Sequence, residues 1–254
     1  MITKSLKKLP MKQFGFLPLL SLLFLFSCKK EAAQNQQLSL VTTTTSDDAT
    51  GCPNGKWAGI YATPNLPYQN VGDSSFISGG IAQLKNSPWS YFYTSVSLLI
   101  PKCHQFSADS ARFTVYLKNP SGQQSSVAPY DVSLWLYGSK DTGHVQFLNQ
   151  YPEYTALTVG NVGVTNTTDL IHLFQDWTEL TLEAKNKRLS VYMNGVLVKQ
   201  IIYKGVKMGT LKQIQIGFKG AGSVDWVKLF NSNTNAQVMQ EDFNTTGKST
   251  INWF

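Results

Sequence analysis

Two short segments gather the residue types that carbohydrate recognition uses. In Asp131-Val132-Ser133-Leu134-Trp135-Leu136-Tyr137, strand alternation puts Ser133, Trp135 and Tyr137 on the face opposite the aliphatic one, with Asp131 beside them. His144, Gln146 and Asn149 lie in the next strand region. In Trp89-Ser90-Tyr91-Phe92-Tyr93 the same period aligns Trp89, Tyr91 and Tyr93. Such sets offer a flat ring to the apolar face of a pyranose, and amides and a carboxylate to its hydroxyls. Large rings can equally cover a second packing layer of a curved sandwich, and the sequence leaves both uses open.

Hydrolysis asks for more. Cleaving a glycosidic bond takes two carboxyls, roughly 5–9.5 Å apart, facing one sugar linkage. Asp131 alone precedes a strongly patterned strand, and no carboxylate follows it two residues on. Glu179 and Glu183 fall on a presumed outer face, and the adjacent Glu241 and Asp242 would point apart on a strand. No Gly-x-Ser-x-Gly elbow marks a serine nucleophile. No catalytic residue is therefore assigned.

The elements that must position these groups are strands. Arg112 to Lys118 alternates with Phe113, Val115 and Leu117 on one face; Val132, Leu134 and Leu136 do the same in the next run. Trp177 to Glu183 sets Thr178, Leu180 and Leu182 together, and Lys212 to Phe218 sets Ile214, Ile216 and Phe218. Asn194-Gly195 separates Leu189–Met193 from Val196–Val198, the signature of a type I′ hairpin, whose two central residues need positive φ. A short helical turn is expected around Thr168 to Phe174. Many short, evenly spaced strands predict an all-β, antiparallel β-sandwich.

The amino terminus is different. Lys4, Lys7, Lys8 and Lys12 precede an apolar run from Phe14 to Phe26, interrupted by Pro18, and small Ser27 comes before Cys28. That is the layout of a secretory signal, and the apolar run is too short for a helix of about 20 residues that would span a bilayer. Leu25-Phe26-Ser27-Cys28 resembles the bacterial lipobox, which implies cleavage before Cys28 and lipidation of its thiol. Met11 to Ser27 alone forms a compact signal, so a start at Met1 or Met11 stays open. The division expected is residues 1–27 as signal, 28–50 as lipidated cysteine and tether, and 51–254 as the sandwich. The tether is rich in Gln, Ala, Ser and Thr, and has few large apolar groups to offset the entropy of ordering.

Of 22 basic residues, the four lysines of the signal would be discarded, leaving 18 against 15 acids. The body has no basic run with interleaved aromatics, so nucleic acid is not an expected partner. Cys52 and Cys103 remain after Cys28; an oxidising, exported setting favours a disulfide between them. Two free thiols or half a metal site are the other readings.

The carboxy-terminal third carries an ordered set: Trp177-x-x-Leu180-x-Leu182, Val191-Tyr192-x-Asn194-Gly195, and Gly222-x-Val224-Asp225-x-Val227-x-Leu229. This set resembles the concanavalin A-like lectin/glucanase superfamily, in its laminin-G-like and keto-disaccharide-hydrolase-like branches, over roughly residues 110–244. The resemblance implies a jelly-roll sandwich and, in some relatives, calcium held by the Asp that is Asp225 here. The Glu-x-Asp-x-x-Glu run of family-16 glucanases is absent. Trp177 and Trp226 are expected as core aromatics. The Ser-Cys-Lys-Lys start resembles lipoproteins of Bacteroidota. The expectation is a non-catalytic, glycan-binding lipoprotein of the outer membrane, with an unusual glycoside hydrolase and a protein-binding adhesion module as the alternatives. The glycan, the leaflet and the oligomeric state stay open.

Overall fold

The computed structural model describes residues 51–55, 57–63, 66–71, 77–78, 81–84, 93–119, 132–150, 154–160, 162–165, 172–203, 207–219, 222–244 and 251–254. Cys28, Trp89, Tyr91 and Asp131 lie outside them, as do the signal and tether; Tyr93 and Asn149 are described as strand positions only.

Two antiparallel sheets pack face to face. The first runs β10 (Val162–Thr165), β9 (Tyr154–Val159), β8 (Thr142–Gln150), β7 (Val132–Gly138), β14 (Leu211–Lys219), β5 (Tyr93–Leu99), β1 (Trp57–Thr63), β2 (Leu66–Val71). The second runs β13 (Val196–Ile202), β12 (Arg188–Met193), β11 (Thr178–Lys185), β6 (Ala111–Lys118), β15 (Gly222–Asn231), β16 (Ala236–Glu241), β17 (Asn252–Trp253). Beyond that path β4 (Ile81–Leu84) also pairs with β15, and β3 (Ile77–Ser78) pairs with β4. The chain crosses between sheets from β2 to β3, β4 to β5, β5 to β6, β6 to β7, β10 to β11, β13 to β14 and β14 to β15. This is the all-β sandwich that the alternation predicts.

The alternation also sets the core. Phe113, Val115, Leu117, Leu134, Leu136, Leu180, Leu182, Ile214, Ile216 and Phe218 are all fully buried, and residues of both sheets form one cluster. Burying each such side chain contributes about 1.5–3 kcal/mol before entropy is counted. Phe174, in the short 3-10 turn His172–Gln175, closes one part of the interior by meeting Phe147 edge-on at 4.9 Å. The Asn194-Gly195 turn has φ of 49° and 77°, as type I′ geometry requires. Its Asn194 side chain also accepts from the Glu179 amide at 2.9 Å, tying the hairpin to β11.

Cys52 and Cys103 form the expected disulfide, their Cα atoms 6.4 Å apart. Beside it, His104 stacks on Trp253 at 4.3 Å, and the Trp253 indole donates to the Asn54 carbonyl at 2.8 Å. The start of the domain is thus held to its end.

Trp177 and Trp226 are not core residues. A register shift between Val224 and Trp226 lets Val224 and Val227 both face inward, with Asp225 the extra residue and Trp226 turned out. Tyr116 stacks on Trp177 at 5.4 Å and on Trp226 at 5.6 Å on that outer face. The bulge breaks the period of two, so simple alternation misplaces the ring.

Candidate functional site

The outer face of the first sheet is built in cross-strand rows. One row reads His144, Trp135, Gln215, Ser97; the next reads Thr142, Tyr137, Gln213, Leu99; a third reads Gln146, Ser133, Gly217, Ser95. Each row follows because β8, β7, β14 and β5 send alternate residues inward, leaving outside a face that is mostly polar and aromatic, with the exposed Leu99 its aliphatic member.

Trp135 is the centre of this face. Its ring lies nearly parallel to His144 at 4.2 Å and to Tyr137 at 5.9 Å, with interplanar angles of 18° and 13°. The Tyr137 hydroxyl donates to Gln215 Oε1 at 3.1 Å. Burial pushes the Tyr137 phenol above its ordinary pKa and holds the His144 imidazole below its own. A cluster that displaces water while lying outside the hydrophobic interior is a place where ring surface and fixed polar groups meet. Of the residues singled out from sequence, the structure brings Trp135, Tyr137, His144 and Gln146 onto one face; Gln215 completes it. Gln215 sits on a strand distant in sequence, and only the β7–β14 pairing makes it Trp135's neighbour.

The outer face of the second sheet holds a pit of about 440 Å³. Its floor is the directly opposed pair Thr114 and Thr181, whose hydroxyls hydrogen-bond at 3.0 Å. Tyr192 stands on one side of that row and Lys228 on the other. Glu179 and Glu183 rise from β11, Arg112 from β6 and Phe230 from β15. The two glutamates share a strand face four residues apart, a Cα separation of roughly 13 Å, against the roughly 5–9.5 Å between a glycosidase's carboxyls. Tyr192 donates to Glu183 Oε2 at 3.3 Å. Sequence reading placed these acids on an outer face correctly, but nothing in their spacing revealed the cations gathered opposite them.

Asp225 lies at the β15 bulge, its carboxyl raised above the usual range, first by desolvation and then by the charge of Asp242. Calcium takes six to eight oxygens, and Asp225 supplies one carboxylate.

No family model matches the chain, and no curated protein matches it. Among solved structures, the VIP36 exoplasmic/lumenal domain, in a Ca2+- and Man2-bound form, is 13% identical, covering 82% of this chain and 94% of that one with a TM-score of 0.46. A legume lectin-like domain from Entamoeba histolytica is 10% identical, covering 69% and 90%, with a TM-score of 0.44. A human galectin-16 variant is 10% identical, covering 52% and 98%, with a TM-score of 0.36. Likeness of this degree extends to the two-sheet arrangement alone.

Proposed function

We propose that this protein is a non-catalytic carbohydrate-binding lipoprotein, and that the face around Trp135 is its binding surface. The observation that carries the reading is the stack of Trp135, Tyr137 and His144, shielded yet outside the core, with Gln215 already oriented by the Tyr137 hydroxyl. Ring edges and flanking amides supply the mixed apolar and hydrogen-bonding contacts that a sugar ring needs, and recognition through them involves no charge. Gln146 reaches the same surface from the neighbouring row. Binding of the wild-type chain on a glycan array, lost in Trp135→Ala and weakened in Gln215→Ala, is the expected result. A wild-type chain that engages no glycan, or a Trp135→Ala chain that binds as well, would overturn it.

Lipidation of Cys28 places the protein at the cell envelope, anchored to the outer membrane through a diacylglyceryl group. Export also agrees with the disulfide. Palmitate labelling in the native host, present in wild type and absent in Cys28→Ser, tests the anchor.

A calcium ion belongs to the same proposal as a structural ligand. Desolvation first, and the charge of Asp242 second, disfavour the Asp225 carboxylate, and a bound divalent cation would offset both. Calcium is expected to raise the melting temperature of the wild-type chain and leave Asp225→Asn unmoved; equal shifts in both would refute the assignment.

A further inference from the structure

We propose that the pit on the second sheet is a separate ligand site for a short zwitterionic peptide, its ammonium toward Glu179 and Glu183 and its carboxylate toward Arg112 and Lys228. The starting point is an ion pair that the register offers and the structure does not make. Arg112 and Glu183 are directly opposite across β6 and β11, where unlike charges ordinarily join. Instead the Arg112 guanidinium lies over the Phe230 ring at 4.3 Å and donates to Asn235 Oδ1 at 2.7 Å. It turns toward β15, away from the acid. Lys228 lies over Trp226 at 4.5 Å. The cations are thus drawn to one wall and the glutamates stand on the other, with the bonded threonine pair on the floor between them.

A pit divided in this way has an electrostatic direction. A lone anion would face Glu179 and Glu183, and a lone cation would face Arg112 and Lys228; a ligand with one charge at each end satisfies both walls. Ring stacking by a neutral sugar finds little room, because Lys228 and Tyr116 lie against Trp226 and Arg112 lies against Phe230. Size narrows the choice further. Glu183 on β11 and Lys228 on β15 stand two strands apart, about 9.6 Å between backbones, and Arg112 on the intervening β6 turns its guanidinium toward β15. A single amino acid is too short to reach both walls, whereas the termini of an extended dipeptide are separated by about 7 Å. The threonine hydroxyls on the floor are placed to meet its central amide.

The test uses the full chain and three peptides that differ by one charge: Ala-Ala, N-acetyl-Ala-Ala and Ala-Ala-amide. Calorimetric titration is expected to show binding of Ala-Ala, weakened about tenfold or more when either terminus is blocked. Glu183→Gln should weaken Ala-Ala and should not weaken the acetylated peptide. Arg112→Gln should weaken Ala-Ala and should not weaken the amide. No binding of Ala-Ala, equal binding of all three peptides, or capture of an aminosugar–uronate disaccharide in their place would overturn the proposal. The wild-type series decides the question even where a variant fails to fold, and Trp135→Ala leaves every one of these outcomes unaltered.

Discussion

The threonine pair at the floor of the pit permits a double-mutant cycle with a definite sign. Thr114 and Thr181 are 7% and 6% exposed, and each hydroxyl has the other as its neighbour at 3.0 Å. Valine keeps the shape and the branching that strands favour. Thr181→Val alone removes the donor and strands the Thr114 hydroxyl. Losing the hydrogen bond is worth about 0.5–1.5 kcal/mol net, and a buried, unpaired hydroxyl costs about 1–3 kcal/mol. Water entering the pit reaches part of the pair, so the expected loss is about 1–2 kcal/mol. Thr114→Val is expected to behave alike. With both replaced, no polar group is stranded and the apolar pair packs across the strands, so the double variant should lie within about 0.5 kcal/mol of wild type. The cycle then yields a coupling of roughly 2 kcal/mol or more, with the second substitution rescuing the first. Equilibrium urea unfolding of the four chains measures it, provided the slope against urea stays constant. Two single losses that simply add in the double variant would show that the hydroxyls do not depend on each other.

Three further outcomes follow from particular contacts. Burial holds His144 below its ordinary pKa of about 6.5, so the folded chain resists a proton that the unfolded chain accepts. Stability should be full above about pH 6.5 and fall as pH drops from there toward the lowered value; His144→Gln should flatten that stretch of a melting-temperature profile, and an unchanged profile would refute it. Gly138→Ala places a Cβ 2.8 Å from the Asp141 carbonyl oxygen and closer still to the Met208 carbonyl. The Met208 oxygen accepts from Lys140 at 2.9 Å, so relief must break a backbone bond; a loss of about 2–4 kcal/mol by urea unfolding is expected, and a variant within about 0.5 kcal/mol would contradict the packing. Reducing Cys52–Cys103, 51 positions apart in sequence, frees a loop whose closure entropy is about 4 kcal/mol in the chain-entropy model. At about 2–4 °C per kcal/mol for a domain of this size, Cys52→Ser should melt roughly 8–16 °C lower, and a change under a few degrees would deny the bridge that role.

What the sequence made legible was whatever a period of two encodes. Phe113 to Leu117 and Ile214 to Phe218 alternate without interruption, and each predicted inward residue is buried. Trp226 shows where that logic ends: one extra residue at Asp225 shifts the register, and a ring expected inside stands outside. The face around Trp135 was half legible, because Trp135 and Tyr137 share a strand while Gln215 joins them only through a pairing some 80 residues away. The pit could not be read at all. Arg112, Glu183 and Lys228 belong to three strands, and their meaning depends on which way Arg112 turns, a choice made by Phe230 and Asn235 rather than by any local pattern.

The sandwich sorts its chemistry by sheet. Both sheets devote one half of each strand to the shared interior, so each outer face carries the remainder, and the remainders differ. Around Trp135 the described side chains are uncharged: Tyr137, Gln146, Gln213, Gln215, Ser97 and the exposed Leu99. Around Thr114 they include two acids and two cations held apart. Contacts between neutral groups are insensitive to dissolved salt, while charges at an open surface are screened over about 8–10 Å at physiological ionic strength. Ligands on the two faces would therefore separate by salt alone, the neutral face holding its partner as ionic strength rises and the divided pit releasing its own. One fold can thus present two independent surfaces, because the interior that unites the sheets leaves each outer face free to differ.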